Sequence, residues 1–538
     1  MMRAVSISLI LYCLGLSYLS AQDRYMVFFT DKTGNGYSIN SPEAFLSQRA
    51  LQRRQNQQIS IEPNDLPLNQ TYVDALKSLG AETYFQTKWM NGVLIQAEAS
   101  LIADIESLSF VSHTEYVAPG ASLSADGDDA DGIASANGAE SGQSRFQNDM
   151  LGIGTMHDAG YEGQGMLIGV FDEGFSNLSS IAAFDHLFND NRILYTQDFT
   201  TNRSDIENNQ SHGRRVLSVL AADSEELTGT APAASYILSI TEAPGEYRVE
   251  EYNWLFAAEK ADSAGVDIIN TSLGYNLFLD PSMDYSLDQM DGQTTVITRA
   301  TNLAASKGIA LVTSAGNTGQ STQWPIITAP GDSPGNLTVG AVNAALEKAR
   351  ISSIGPTADN RIKPDVAALG ISTAVTGNEG SVTFSDGTSF ASPLVAGLMA
   401  GVWQANPQLT AAELLNIIRL SGSQYDNPDN QLGYGIPNFV TIVQLIEEID
   451  LPTVDDLTVY PNPTNNSFVN LAFDISFFNE PVNVQLVRLN GQIINRYRFT
   501  PTQRDNRIQV NLENTSAGLY LLKIAGAGET FTKKVIRF

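Results

Sequence analysis

The segment Gly387-Thr388-Ser389-Phe390-Ala391-Ser392-Pro393-Leu394-Val395-Ala396-Gly397-Leu398-Met399-Ala400 is small or apolar at nearly every position. A run of that kind fits a helix buried inside a sizeable core, not one lying on a surface. With 538 residues the chain is long enough for several domains and for such a core. Ser389 stands at the helix mouth, where the dipole and the free backbone N–H groups can hold a developing oxyanion. Pro393 is expected in the first turn, whose N–H groups lack partners in any case. An ordinary Gly-Thr-Ser cap on a core helix would read the same way. The serine therefore counts as a nucleophile only if a base and an acid accompany it.

Histidine is scarce, which shortens the search: the chain holds His113, His157, His186 and His212. His113 lies far from any other chemical signature, and His157 and His186 read as surface or loop residues. His212 opens an apolar-periodic helix, Ser211-His212-Gly213-Arg214-Arg215-Val216-Leu217, beside a glycine that lets another chain segment come close. For the acid, Met166-Leu167-Ile168-Gly169-Val170-Phe171 reads as a buried strand that stops at Asp172. Functional groups collect at the carboxyl ends of parallel strands, and a carboxylate there can orient an imidazole. Glu173 competes, but neighbouring strand residues point to opposite faces.

The order Asp172, His212, Ser389, with the segments around them, resembles the subtilisin-like serine proteases from about Asn148 to Glu448. Ile168-Gly169-Val170-Phe171-Asp172-Glu173-Gly174 is similar to the family's aspartate motif, with Glu173 where Thr or Ser is usual. Ser211-His212-Gly213 matches the histidine motif, with Arg214 in place of a small hydroxyl residue. Arg214 either points into the site, where it would lower the histidine's pKa, or lies on an exposed helix face. Lys363-Pro364-Asp365-Val366-Ala367-Ala368-Leu369-Gly370 resembles the run before the serine, with Leu369 where proline is usual.

The resemblance implies a catalytic triad of Asp172, His212 and Ser389 and an oxyanion hole that includes the Asn317 amide, from Ser314-Ala315-Gly316-Asn317. It implies that Ser272, Leu273, Gly274, Ala315 and Gly316 meet an extended substrate. No cofactor and no metal ligand set is expected, although the family's habit leaves calcium open; no H-E-x-x-H, paired Cys or EF-hand spacing is present. Serine coming last in the chain excludes the α/β-hydrolase order.

The net charge of −28 argues against a nucleic-acid partner. Arg3, an apolar stretch from Ala4 to about Leu19 and the exit Ser20-Ala21 read as a signal peptide over 1–21. Cys13 falls within it, so the mature chain would have no disulfide. Residues 22–119 alternate strand and helix patterns, with strands at Tyr25–Phe29, Val93–Ala97 and Val111–Val117 and helices at Pro42–Gln55, Tyr72–Leu79 and Ser100–Leu108. That order suits a ferredoxin-like propeptide. Residues 120–146 form an acidic linker in which maturation cleavage is expected.

A catalytic domain over 147–449, α/β with a parallel sheet flanked by helices, follows. Residues 450–538 form a β-sandwich whose Tyr460-Pro461-Asn462-Pro463 start, Gly518-Leu519-Tyr520 strand and basic end resemble the sorting domain of type IX secretion cargo in Bacteroidota. A carbohydrate-binding or adhesive sandwich would share the strand pattern.

Together these features predict a secreted or surface serine endopeptidase made as a zymogen. Its partners would be protein or peptide substrates, its own propeptide and the outer-membrane secretion machinery. The competing reading is an inactive subtilisin-fold binding or adhesion protein, motivated by Glu173 and Arg214.

Overall fold

The computed structural model describes residues 22–120, 133–134, 143–243, 245–449, 457–473, 481–501, 507–526 and 529–538. The expected signal peptide and most of the linker lie outside these residues.

The N-terminal domain contains β1 (Asp23–Phe29), α1 (Gln48–Asn56), α2 (Gln70–Ser78), β2 (Glu82–Thr87), β3 (Gly92–Ala97), α3 (Ile102–Glu106) and β4 (Val111–Ala118). Its antiparallel sheet runs β2-β3-β1-β4, the strand order of a split βαβ fold. The helix expected over Pro42–Gln55 begins later, because Ser47 caps it by accepting from the Ala50 N–H; Pro42–Ala44 form a separate 3₁₀ turn. β2 escapes sequence reading because it is a half-exposed edge strand with no apolar alternation.

One face of the sheet packs on the catalytic domain, where Met26, Phe28, Trp89 and Leu94 join Tyr252 and Phe256 in one core. Beside that face Arg53 and Arg54, at 5% and 1% exposure, enter a buried ion cluster with Asp262 and Asp65, joined by Lys88 and Lys307.

The linker contributes the short β5 (Ile133–Ala134), and α4 (Gln143–Asp149) and α5 (Ile153–Asp158) lead into the central domain. Then come β6 (Leu167–Asp172), α6 (Asp185–Asn189), β7 (Ile193–Asp198), α7 (His212–Ala221), β8 (Ser235–Ile240), α8 (Val249–Ala264), β9 (Ile268–Thr271), α9 (Val296–Ser306), β10 (Ala310–Ser314), β11 (Asn336–Val342) and β12 (Val366–Leu369). The hairpin β13 (Thr373–Thr376) and β14 (Val382–Ser385) precedes α10 (Thr388–Ala405), α11 (Ala411–Leu420) and α12 (Phe439–Ile449). The seven-stranded parallel sheet has the order β12-β11-β10-β9-β6-β8-β7.

Side chains alternate across the sheet. Ile168 and Val170 of β6 pack with α7 and α10 on one face; Leu167 and Phe171 pack with α8 and α9 on the other. α10 is buried from Thr388 to Trp403, as its all-apolar sequence requires. From β6 the chain passes to the edge strand β7, returns to β8 beside β6, then crosses to β9 on the other side of β6. A crevice at the carboxyl ends of β6 and β9 is what that reversal creates.

The C-terminal domain holds β15 (Leu457–Tyr460), β16 (Phe468–Phe473), β17 (Val482–Arg488), β18 (Ile493–Phe499), β19 (Arg507–Asn511), β20 (Gly518–Gly526) and β21 (Glu529–Arg537). Its sheets β15-β16-β19 and β18-β17-β20-β21 share one core of Val469, Leu471, Val484, Leu486, Val510 and Leu522. The sandwich follows from the alternating pattern of β16 and β17.

Candidate active site

Asp172 ends β6 with 1% exposure, and its Oδ1 lies 2.7 Å from Nδ1 of His212, the first residue of α7. The same Oδ1 accepts the Glu173 N–H at 2.9 Å, which fixes the carboxylate against its own turn. Gly213 makes the approach possible. A Cβ there would stand 2.6 Å from the Gly174 carbonyl oxygen and 2.8 Å from the Asp172 Cβ, so α7 could not seat its first turn against β6 with a larger residue. His212 itself is 8% exposed and lies beside the Phe390 ring, at 5.6 Å between centroids.

Ser389 is the second residue of α10, and its Oγ donates to the Ser272 carbonyl at 3.2 Å. The structure moves Pro393 from the expected first turn to the sixth helical position, because α10 already begins at Thr388. A proline there has no N–H for the carbonyl one turn earlier, which is that of Ser389. Ser272 replaces the missing donor: its Oγ donates to the Ser389 carbonyl at 2.8 Å. Asn270 donates in turn to Ser272 Oγ at 3.0 Å, and Ser392 donates to Asn270 Oδ1 at 2.7 Å. A buried polar chain thus bolts the turn that bears Ser389 to the end of β9.

Asn317 follows β10, and its Oδ1 accepts both the N–H and the hydroxyl of Thr388, each at 2.9 Å. With the carbonyl side held, the amide NH₂ is the half of the group left to face a ligand; it lies 3.6 Å from where a Cβ on Gly387 would sit. Replacing Asn317 by Ala should lower kcat about 10²–10³-fold with little change in KM, the loss typical of one oxyanion donor. Steady-state kinetics on a peptide substrate checks this.

The expected substrate-binding residues divide. Ser272 is occupied as described, whereas Leu273 and Gly274 make no backbone hydrogen bond among the described residues before pairing resumes at Tyr275 with Ala329. Ala315 is fully buried, its N–H bonded to Val339 and its carbonyl to Thr328. Gly316 donates to Thr388 Oγ1 and accepts from Ser353, with a φ of +99° that a side chain would strain. Both therefore shape the loop that carries Asn317.

Arg214 takes neither expected course. It is fully buried and donates to the Ser176 carbonyl at 3.1 Å and to Asn378 Oδ1 at 2.8 Å, tying the turn after Asp172 to the β13–β14 hairpin. His157 and His186, read as surface or loop residues, are half-buried helix residues that meet the Thr230 and Pro232 carbonyls. His113 is exposed and stacks on Phe28. Among the described residues no group of three or more His, Cys, Asp or Glu side chains is placed to hold a metal, and no helix is long and apolar enough to cross a membrane.

A parallel sheet with a strand-end aspartate bonded to a helix-start histidine, and a helix-mouth serine whose neighbour Phe390 lies against that histidine, in that chain order, defines a subtilisin-like fold. The chain belongs to the subtilase family, whose description matches residues 163–435. Residues 24–130 match the peptidase S8 propeptide domain of Bacteroidota, and residues 458–537 a secretion system C-terminal sorting domain, which marks the chain for export.

Subtilisin NAT of Bacillus subtilis subsp. natto is 28% identical over 279 residues, 51% of this chain and 64% of that protein. Subtilisin of Bacillus pumilus is 28% identical over 296 residues, 54% of this chain and 94% of that one. The chain thus spans 64% of the length of the first of these relatives. The crystal structure of an epidermin leader peptide processing serine protease from Staphylococcus aureus aligns at a TM-score of 0.55 over 81% of this chain and 100% of that one. At 14% identity that likeness concerns the fold alone.

Proposed function

We propose that this chain is a secreted serine endopeptidase, made as a zymogen, in which Ser389 attacks the peptide carbonyl. His212 takes the serine proton and later gives it to the leaving amine. Asp172 holds the imidazole tautomer, and the Asn317 amide with the Ser389 N–H receives the oxyanion. The observation that carries this reading is the 2.7 Å contact of Asp172 Oδ1 with His212 Nδ1. It commits Nδ1–H to the carboxylate and leaves Nε2 as the nitrogen that exchanges the proton. The open backbone of Leu273 and Gly274 supports pairing with an extended substrate. Latency is supported by β5, where Ile133 and Ala134 pair with Ser385 and Phe384, a few residues before the serine. The linker would be held there beside the serine while the propeptide inhibits, and the sorting domain would engage the secretion machinery.

The test is labelling by a fluorophosphonate probe. The processed native sequence should label, and Ser389→Ala and His212→Ala should not. A folded, processed protein that fails to label overturns the reading in favour of an inactive binding protein.

A further inference from the structure

The crevice beside Asp172 is lined by more negative charge than the proposed chemistry uses. Glu173 follows Asp172, and the Thr241 N–H donates to the Asp172 carbonyl at 3.0 Å, which brings the end of β8 level with that of β6. Glu242 comes next, and the Tyr275 hydroxyl, from the segment after β9, reaches its Oε1 at 3.3 Å. That bond spans the mouth of β6, from the open backbone at Leu273 and Gly274 to the turn after β8. Glu250, in the first turn of α8, is 1% exposed. Its Oε1 accepts the Ala243 N–H at 3.2 Å, while its Oε2 is buried without a hydrogen-bond partner. Glu246 stands exposed on the turn between them.

Burial pushes Glu242 and Glu250 well above the usual carboxylate range, and Glu250, Asp172, Glu173 and Glu246 raise Glu242 further. The four charges that act most on Glu242 are thus all negative. Arg248, close by in sequence, is directed instead to Glu115 and Glu251. Buried carboxylates without a counter-charge are costly to keep, and an arriving cation relieves that cost. The described residues offer no metal-binding group. The stretch Gly120–Ser144 of the linker cannot supply the cation either, since it contains no Lys or Arg.

We propose that Glu242, Glu250 and Glu246, with Glu173 alongside, form a subsite for a lysine or arginine side chain of the substrate, within four residues on the N-terminal side of the bond cleaved. The proposal rests on the serine endopeptidase reading above. A cationic side chain on a flexible stem reaches Glu246 and Glu242 while its backbone pairs with Leu273 and Gly274, and Glu250, buried behind them, acts on it through the intervening low-dielectric interior. The stretch Gly120–Ser144, which lacks Lys and Arg, would then be a poor substrate for its own site.

Matched fluorogenic peptides differing only in arginine, norleucine or glutamate at the second, third or fourth position before the scissile bond test this. At one of those positions arginine should raise kcat/KM about tenfold or more over norleucine. The ratio should fall toward one in Glu242→Gln/Glu250→Gln and fall in part in Glu246→Gln, whose exposed position leaves folding undisturbed. Glu242→Lys should turn the preference toward the glutamate peptide, which a merely structural carboxylate would not do. Native enzyme that labels with fluorophosphonate yet cleaves the arginine and norleucine peptides equally overturns the subsite and leaves the peptidase reading standing. Native enzyme that does not label overturns both.

Discussion

Replacing Asp172 by Asn should lower kcat about 10⁴-fold while KM stays nearly constant. The exchange keeps size and shape in a position that is 1% exposed, so packing is preserved. It changes the hydrogen bond. Asp172 Oδ1 accepts from both His212 Nδ1 and the Glu173 N–H. An asparagine that still accepts the Glu173 N–H through its oxygen cannot hold Nδ1–H equally well, and its NH₂ favours the opposite imidazole tautomer. That tautomer places a proton on Nε2, where the serine's proton has to go. The stabilisation of the imidazolium is lost with the charge. Steady-state kinetics with a short peptide, together with a thermal melt showing an intact fold, decides the matter. A loss below about tenfold would show that Asp172 does not set the imidazole tautomer or stabilise the imidazolium.

The three residues of the proposed triad could be singled out in the sequence because each combines a secondary-structure signal with an unusual residue at its end: Asp172 stops an apolar strand, His212 starts a periodic helix, and Ser389 stands in the first turn of a largely apolar one. What supports the constellation was not legible. The start of α10 lies where Thr388 meets the Asn317 carbonyl, a contact across 71 residues, and so the role of Pro393 was misplaced by a turn. Arg214 reads as a surface cation or an intruder, and its actual partners, Ser176 and Asn378, are remote in sequence. Helix α1 is polar by composition, yet Arg53 and Arg54 are buried against Asp262, a partner more than 200 residues away that the local sequence does not reveal. Glu242 and Glu250 pass for ordinary acidic residues until the fold buries them close to one another and to Glu173.

Removing the Asp262 side chain should loosen the propeptide by about 3–5 kcal/mol, because cations are left buried without their anion. Asp262 is fully buried on α8 and meets Arg53, Arg54 and Lys88 of the N-terminal domain. In a full-length Ser389→Ala background, which prevents self-digestion, Asp262→Ala should speed amide hydrogen exchange across Gln48–Asn56 about 10²–10⁴-fold. Exchange within the C-terminal sandwich should be unmoved. Replacing Arg53, Arg54, Lys88 and Asp262 together by apolar residues of similar volume should restore much of the protection, since a paired buried cluster adds little net stability over such residues. No acceleration in Asp262→Ala would show that the apolar face of the sheet alone holds the propeptide.

The pH dependence separates the carboxylates. Burial pushes Asp262 upward, but Lys88, Arg53 and Arg54 outweigh it and leave the group below its ordinary value. Its contribution is therefore present above the ordinary aspartate pKa and lost as pH falls toward the depressed one. Glu259, which accepts the Thr87 hydroxyl and the Lys88 and Trp89 N–H groups, is raised, chiefly by burial, so docking gains as pH falls through its raised value. Protection of α1 should then pass through a maximum in mildly acid solution and collapse below it, and Asp262→Ala should abolish the collapse while leaving the rise.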